Sequence, residues 1–159
     1  MKQSSQFGFT LIELVFVMVL MAIISVIIGK FLFQSYNTFQ TANNINEVEW
    51  QGFLGLNRMV SDIHTIRSSG DISTISSNNF VFTDINGNAV QYQLSGTSLT
   101  RNGQVLASGI QTLSLSYFDE NNAVTSTPSL TRFIKMSLSV AQGTISTSYS
   151  TIAAVRVTS

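Results

Sequence analysis

Gly8-Phe9-Thr10-Leu11-Ile12-Glu13-Leu14, continuing through Val15 to Ile28, is the stretch on which the rest of the chain depends. A short polar leader precedes it, a glycine–aromatic junction opens it, and an apolar run follows. Between Phe9 and Ile28 only Thr10, Glu13 and Ser25 interrupt the apolar residues. As a helix rising about 1.5 Å per residue, such a run spans the roughly 30 Å hydrocarbon core of a bilayer, so a transmembrane helix is predicted. Glu13 is the exception. A carboxylate within such a run costs about 3 kcal/mol on insertion scales, which calls for an interfacial position or a partner. An ordinary secretory signal peptide would end in small residues at an Ala-x-Ala-like cut site. Here Gly29, Lys30, Phe31, Leu32 and Phe33 follow Ile28 without a small-x-small pair, so the apolar segment is expected to stay with the chain.

Composition narrows the remainder. Of 159 residues, about thirty belong to the leader and the apolar segment, which leaves material for one modest domain. Eight basic and eight acidic residues balance, which argues against a nucleic-acid binder built on a basic patch. Without cysteine, neither a disulfide framework nor thiol chemistry is available. Only 10% of residues are charged, and Ser, Thr, Asn and Gln abound after position 60, a surface suited to an assembly outside the cytoplasm.

Beyond Lys30 the apolar residues change rhythm, at Phe39, Ala42, Ile45, Val48, Trp50, Phe53, Leu56, Met59, Val60, Ile63 and Ile66. Steps of three or four predict one long helix from Phe9 to about Thr65, its second half laying an apolar stripe on a domain. Gly29, Asn43-Asn44, Gly52 and Gly55 weaken it locally and mark places for a bend. Residues 68–79 read as a loop with one short strand at Ile72–Ile75. Period-two runs follow at 80–83 and 90–94 around Asn86-Gly87, which predicts a type I′ hairpin turn. More strands are expected at 98–101 and 104–106 around Asn102-Gly103, then at 111–118, 133–140 and 144–157. Leu130, Ile134, Met136, Leu138 and Val140 alternate, so one face is buried. The only amphipathic element able to cover that face is the helix, so the fold class is α+β, a long N-terminal helix packed on an antiparallel β-sheet.

The stretch Gly8–Glu13 resembles, residue for residue, the type III signal sequence of type IV prepilins and type II secretion pseudopilins. The resemblance implies cleavage between Gly8 and Phe9 by prepilin peptidase, N-methylation of Phe9, and a role for Glu13 in assembly. It divides the chain into a leader at 1–8, a transmembrane segment at 9–33, an amphipathic helix at 34–67 and a β-rich domain at 68–159. Implied partners are prepilin peptidase, other pilins or pseudopilins and an inner-membrane assembly platform. Lys2 and Lys30 flank the span and leave its orientation open by charge. The resemblance supplies leader inside, domain outside the cytoplasm. A looser likeness, carried by Asp62-Ile63, Arg67, Leu99-Thr100-Arg101, Gly109-Ile110-Gln111 and Tyr117-Phe118-Asp119, points to minor pilins and J-type minor pseudopilins. The chain has neither a proline in the later membrane helix nor a C-terminal cysteine pair, which favours a minor subunit.

The expected function is therefore a structural minor pilin-like subunit of a type IV pilus or its priming or tip complex. A J-type pseudopilin of type II secretion is the alternative. A single-pass ligand-binding or sensor protein is the rival of another class.

Other candidate sites have plainer readings. Asp84-Ile85-Asn86-Gly87-Asn88 offers oxygens at Asp84, Asn86 and Asn88, as a calcium loop does. Its glycine stands at the fourth position and Ser95 replaces the closing glutamate, so a hairpin turn is the preferred reading. Asp119-Glu120-Asn121-Asn122 is a second oxygen-rich turn. His64, the sole histidine, stands two residues from Asp62, a spacing that points the two side chains to different helix faces and disfavours a hydrolase triad. Trp50 reads as core or subunit contact. Gly52 and Gly55 lack the lysine and hydroxyl of a phosphate loop. No cofactor and no enzymatic activity are expected.

Overall fold

A computed structural model describes residues 10–156. Helix α1 runs unbroken over Leu11–Ile63. Eight strands follow: β1 (Ile72–Ile75), β2 (Asn79–Thr83), β3 (Ala89–Ser95), β4 (Ser98–Arg101), β5 (Gln104–Ser108), β6 (Ile110–Phe118), β7 (Phe133–Gln142) and β8 (Ile145–Ala154). The chain divides into two compact units, Met1–Ala42 and Asn43–Ser159. In the first, α1 contains a stretch long and apolar enough to cross a membrane, none of it buried within the chain.

In the second unit, the last part of α1 is seated on antiparallel strands, an α+β arrangement. The strands form two sheets, not the single sheet the alternation suggests: a meander in the order β1-β2-β3-β4-β5 and another in the order β6-β7-β8. One residue, Gly109, separates β5 from β6, which leaves no room for a hairpin. Its φ of +73° turns the chain instead. There the Gly109 carbonyl accepts the Ala141 amide at 2.8 Å, and a Cβ would lie 2.9 Å from the Ala141 oxygen. One apolar core collects Phe80, Phe82, Tyr92 and Leu99 from the first sheet and Leu115, Ile134, Met136 and Leu138 from the second. Leu130 leaves the expected alternation. It lies in a 3₁₀ turn at Pro128–Leu130 and is exposed.

The helix stripe is narrower than its apolar content suggests. Val48, Gly52, Gly55, Leu56, Met59, Asp62 and Ile63 are buried, whereas Trp50 and Phe53 are 58% and 61% exposed. At about 100° per residue, Trp50 stands about 200° round the helix from Val48 and cannot share its contact. Two of the glycines that weaken the helix locally, Gly52 and Gly55, are points of close approach, whereas Gly29 has open space around it. A Cβ on Gly52 would fall 2.5 Å from Cε2 of Tyr149, and one on Gly55 would fall 3.1 Å from a Leu99 methyl.

Near its C-terminal end the helix is fixed by a buried polar cluster. Asp62, 6% exposed, accepts the Tyr92 hydroxyl at 2.7 Å and the Arg101 Nε at 2.5 Å on one oxygen, while Arg58 Nε lies 3.3 Å from the other. Burial, then the bond to Asp62, pushes the Tyr92 phenol above the ordinary tyrosine range; burial does the same to Tyr117. Both phenols therefore hold their protons longer in the folded state than the unfolded value near 10 allows, so stability is complete below about pH 10 and is lost as pH rises through and beyond it.

A fragment beginning at Gln34 is expected to be soluble and folded, and in it Asp62→Ala, which strands Arg101 and Tyr92, should cost about 3 kcal/mol. Urea unfolding of the fragment should also show a midpoint that falls between about pH 9 and about pH 11. An unchanged midpoint in either comparison would remove the cluster from the forces holding the helix.

Candidate functional site

Helix α1 begins two residues after Phe9. Thr10 precedes the first helical residue, and its carbonyl accepts the amides of Glu13 and Leu14 at 3.1 and 3.2 Å. Its hydroxyl oxygen also accepts the Glu13 amide, at 3.4 Å. Thr10-Leu11-Ile12-Glu13 thus has the spacing of a capping box, with the threonine as N-cap and the glutamate at the third helical position. Glu13 lies in the first turn of α1, where unsatisfied amides carry partial positive charge and favour a carboxylate. The Thr-x-x-Glu pattern is visible in the sequence, and it qualifies the membrane cost of Glu13: the charge stands at the helix head, not in the middle of the span. Gly8 and Phe9 lie outside the described residues.

The oxygen-rich turns have the same construction twice. Asp84 Oδ1 accepts the Asn86 and Asn88 amides at 2.9 and 2.8 Å, and the Asn88 side-chain amide donates to Oδ2 at 3.3 Å. The Asp84 carbonyl accepts the Gly87 amide at 3.0 Å, and the Asp84 amide donates to the Asn88 carbonyl at 2.9 Å. Only Gly87, at φ +85°, is left-handed there, so the loop is a three-residue turn with one left-handed residue and not the expected type I′ pair. That pair is found at Asn102-Gly103, with φ of +53° and +79°. Asp119 repeats the first loop. Its Oδ1 accepts the Asn121 and Ala123 amides, both at 2.9 Å, with Asn122 at φ +60° in place of glycine. The Asn88 amide chiefly holds the Asp84 carboxyl below its ordinary pKa. The two loops belong to different sheets, since Asp84 joins β2 to β3 and Asp119 follows β6. Among the described residues no three acidic, histidine or cysteine side chains gather around a common point.

His64 is exposed while Asp62 points inward to Tyr92 and Arg101. The Asp62 cluster was not evident from sequence, because its partners lie 30 and 39 residues away on β3 and β4.

Among the described residues a helix able to cross a bilayer leads into a β-rich domain, the layout of a membrane-anchored protein. Residues 3–29 match the prokaryotic N-terminal methylation motif. Together with the long apolar helix, the motif supports a type IV pilin-like protein and fits anchoring in an inner membrane. No curated protein matches the chain.

Because Asp84 and Asp119 each hold two backbone amides on Oδ1, Asp84→Ala and Asp119→Ala should each lower the thermal midpoint of the domain, while millimolar calcium should leave the unsubstituted domain unchanged. A calcium-dependent rise that either substitution abolishes would make that loop a metal site.

Proposed function

We propose that the chain is a structural minor pilin-like subunit and not an enzyme. It is made as an inner-membrane precursor with its β-domain outside the cytoplasm, cut between Gly8 and Phe9 by prepilin peptidase and N-methylated at Phe9. It then joins other pilins in a type IV pilus or its priming complex through an inner-membrane platform. The observation that carries this reading is the methylation motif at residues 3–29, heading a helix whose last part covers a β-rich domain.

Glu13 has a defined part in this reading. Cleavage exposes an amine on Phe9, four residues before Glu13 and about 6 Å away along the axis at 1.5 Å per residue. Inside a bundle of apolar helices, an unpaired amine and an unpaired carboxylate are each heavily penalised, and pairing relieves both. Within one helix the contact is strained, whereas a neighbour displaced along the axis offers better geometry. Glu13 of one subunit therefore meets the Phe9 amine of the next and sets the axial register.

Gly8→Val puts a branched side chain at the junction, and the precursor should accumulate uncut in cells that contain prepilin peptidase. Intact mass decides: loss of eight residues from that variant would remove the processing assignment. Glu13→Leu should be cut normally yet co-purify with partner pilins in reduced amount. Glu13→Gln serves as control, since it keeps the shape of the capping box without the charge. If both variants enter filaments fully, charge pairing plays no part in assembly.

A further inference from the structure

The exposed edges of the two sheets are guarded unequally. β1 has four residues and a register shift against β2, and β5 has five residues and a shift against β4. The outer side of β6 is engaged at Leu115, whose amide donates to Ser77 at 2.9 Å, and at Ile110, whose amide donates to Thr97 at 3.0 Å. β8 differs. It is outermost in its sheet, ten residues long and paired with β7 without a shift, and it contains neither a charged residue nor proline. Among the described residues no backbone hydrogen bond reaches its outer side. Natural edges are shortened, charged, bulged or covered, because a free row of amides and carbonyls is a template for another strand.

A groove of about 890 Å³ lies beside this strand, with Ile45, Trp50 and Phe53 of α1 on one wall and Ile145, Thr147 and Tyr149 of β8 on the other. Trp50 and Phe53 stack with centroids 6.5 Å apart yet remain largely exposed. Paired exposed aromatics next to an unguarded edge mark an interaction surface. Glu49 is the one charged side chain lining the groove, and it makes no salt bridge among the described residues. Its carboxylate is felt at Tyr149, whose phenol is pushed up first by burial and then by that charge.

We propose that the β8 edge and the Trp50–Phe53 groove together bind an extended segment of a different pilin-like subunit, added as a strand, with apolar side chains at alternate positions and a lysine or arginine opposite Glu49. The source of the segment rests on the function proposed above; its chemistry rests on the surface alone. One wall is a strand edge, so the occupant is extended rather than helical, and main-chain bonds supply affinity while the groove selects side chains. A second copy fits poorly: antiparallel β8–β8 pairing about Tyr149 brings two Glu49 carboxylates to one seam, and β8 has no basic residue to offset them. An anionic lipid surface meets the same repulsion.

Trp50 is the only tryptophan, so its emission reports the groove directly. The full chain in neutral detergent micelles would be titrated with a synthetic peptide of alternating valine and threonine between terminal lysines. A saturable blue shift is expected, weakened about tenfold by Glu49→Lys and restored in that variant by the same peptide with terminal glutamates. A version N-methylated at alternate amides should not bind. No saturable shift, equal binding of the lysine and glutamate peptides, or undiminished binding of the N-methylated peptide would each overturn the proposal. A shift that grows with protein concentration without peptide, together with a dimer mass in sedimentation, would assign the surface to a second copy instead. Processing after Gly8 is read by mass in a separate experiment, so failure of peptide binding leaves the pilin-like reading intact.

Discussion

One helix has to serve two solvents. Over its apolar first half nearly all side chains are suited to hydrocarbon, with Glu13 at its head the acidic exception, and backbone groups are satisfied internally, the condition for crossing a bilayer. Over its last part the same helix must bury one stripe in a protein core and leave the opposite flank to water or a partner. The covering sheets cannot close without it, since Val48, Leu56, Met59 and Ile63 belong to the same core as Phe80, Phe82, Met136 and Leu138.

Two devices seat that stripe. Gly52 and Gly55 remove side-chain bulk where Tyr149 and Leu99 press on the helix, a gain in proximity set against about 1 kcal/mol of helix propensity for each glycine. Asp62 then fixes rotation and axial position, because its carboxylate meets Tyr92 and Arg101 together only in one setting of the helix on the first sheet. A buried ionic cluster is weak evidence for net stability, but it penalises every misaligned setting that leaves a charge unpaired.

The sequence made much of this legible. Apolar length and the Gly8–Glu13 pattern announced the membrane segment and its kinship, and period-two runs located most of the strands. Several features stayed hidden for identifiable reasons. Periodicity counts apolar residues without distinguishing two helix flanks, so Trp50 and Phe53 merged with the buried stripe. Strand count does not disclose a division into sheets, which here depends on the single left-handed residue Gly109. Asn86-Gly87 alone predicts a type I′ turn; Asp84 changes it by capturing two amides, while the left-handed pair forms at Asn102-Gly103. The partners of Asp62 are joined only by tertiary folding.

The paired loops at Asp84 and Asp119 have a consequence for how this surface can vary. Each shape is specified by two of five positions, an aspartate that gathers amides and a residue three places on that accepts a left-handed backbone. Ile85, Asn86, Glu120 and Asn121 are exposed at the tips, and the side-chain bonds that close the turns come from Asp84, Asn88 and Asp119. Their chemistry is thereby uncoupled from the geometry that displays them, so mutational drift can alter what the domain presents to its surroundings while its architecture is inherited intact.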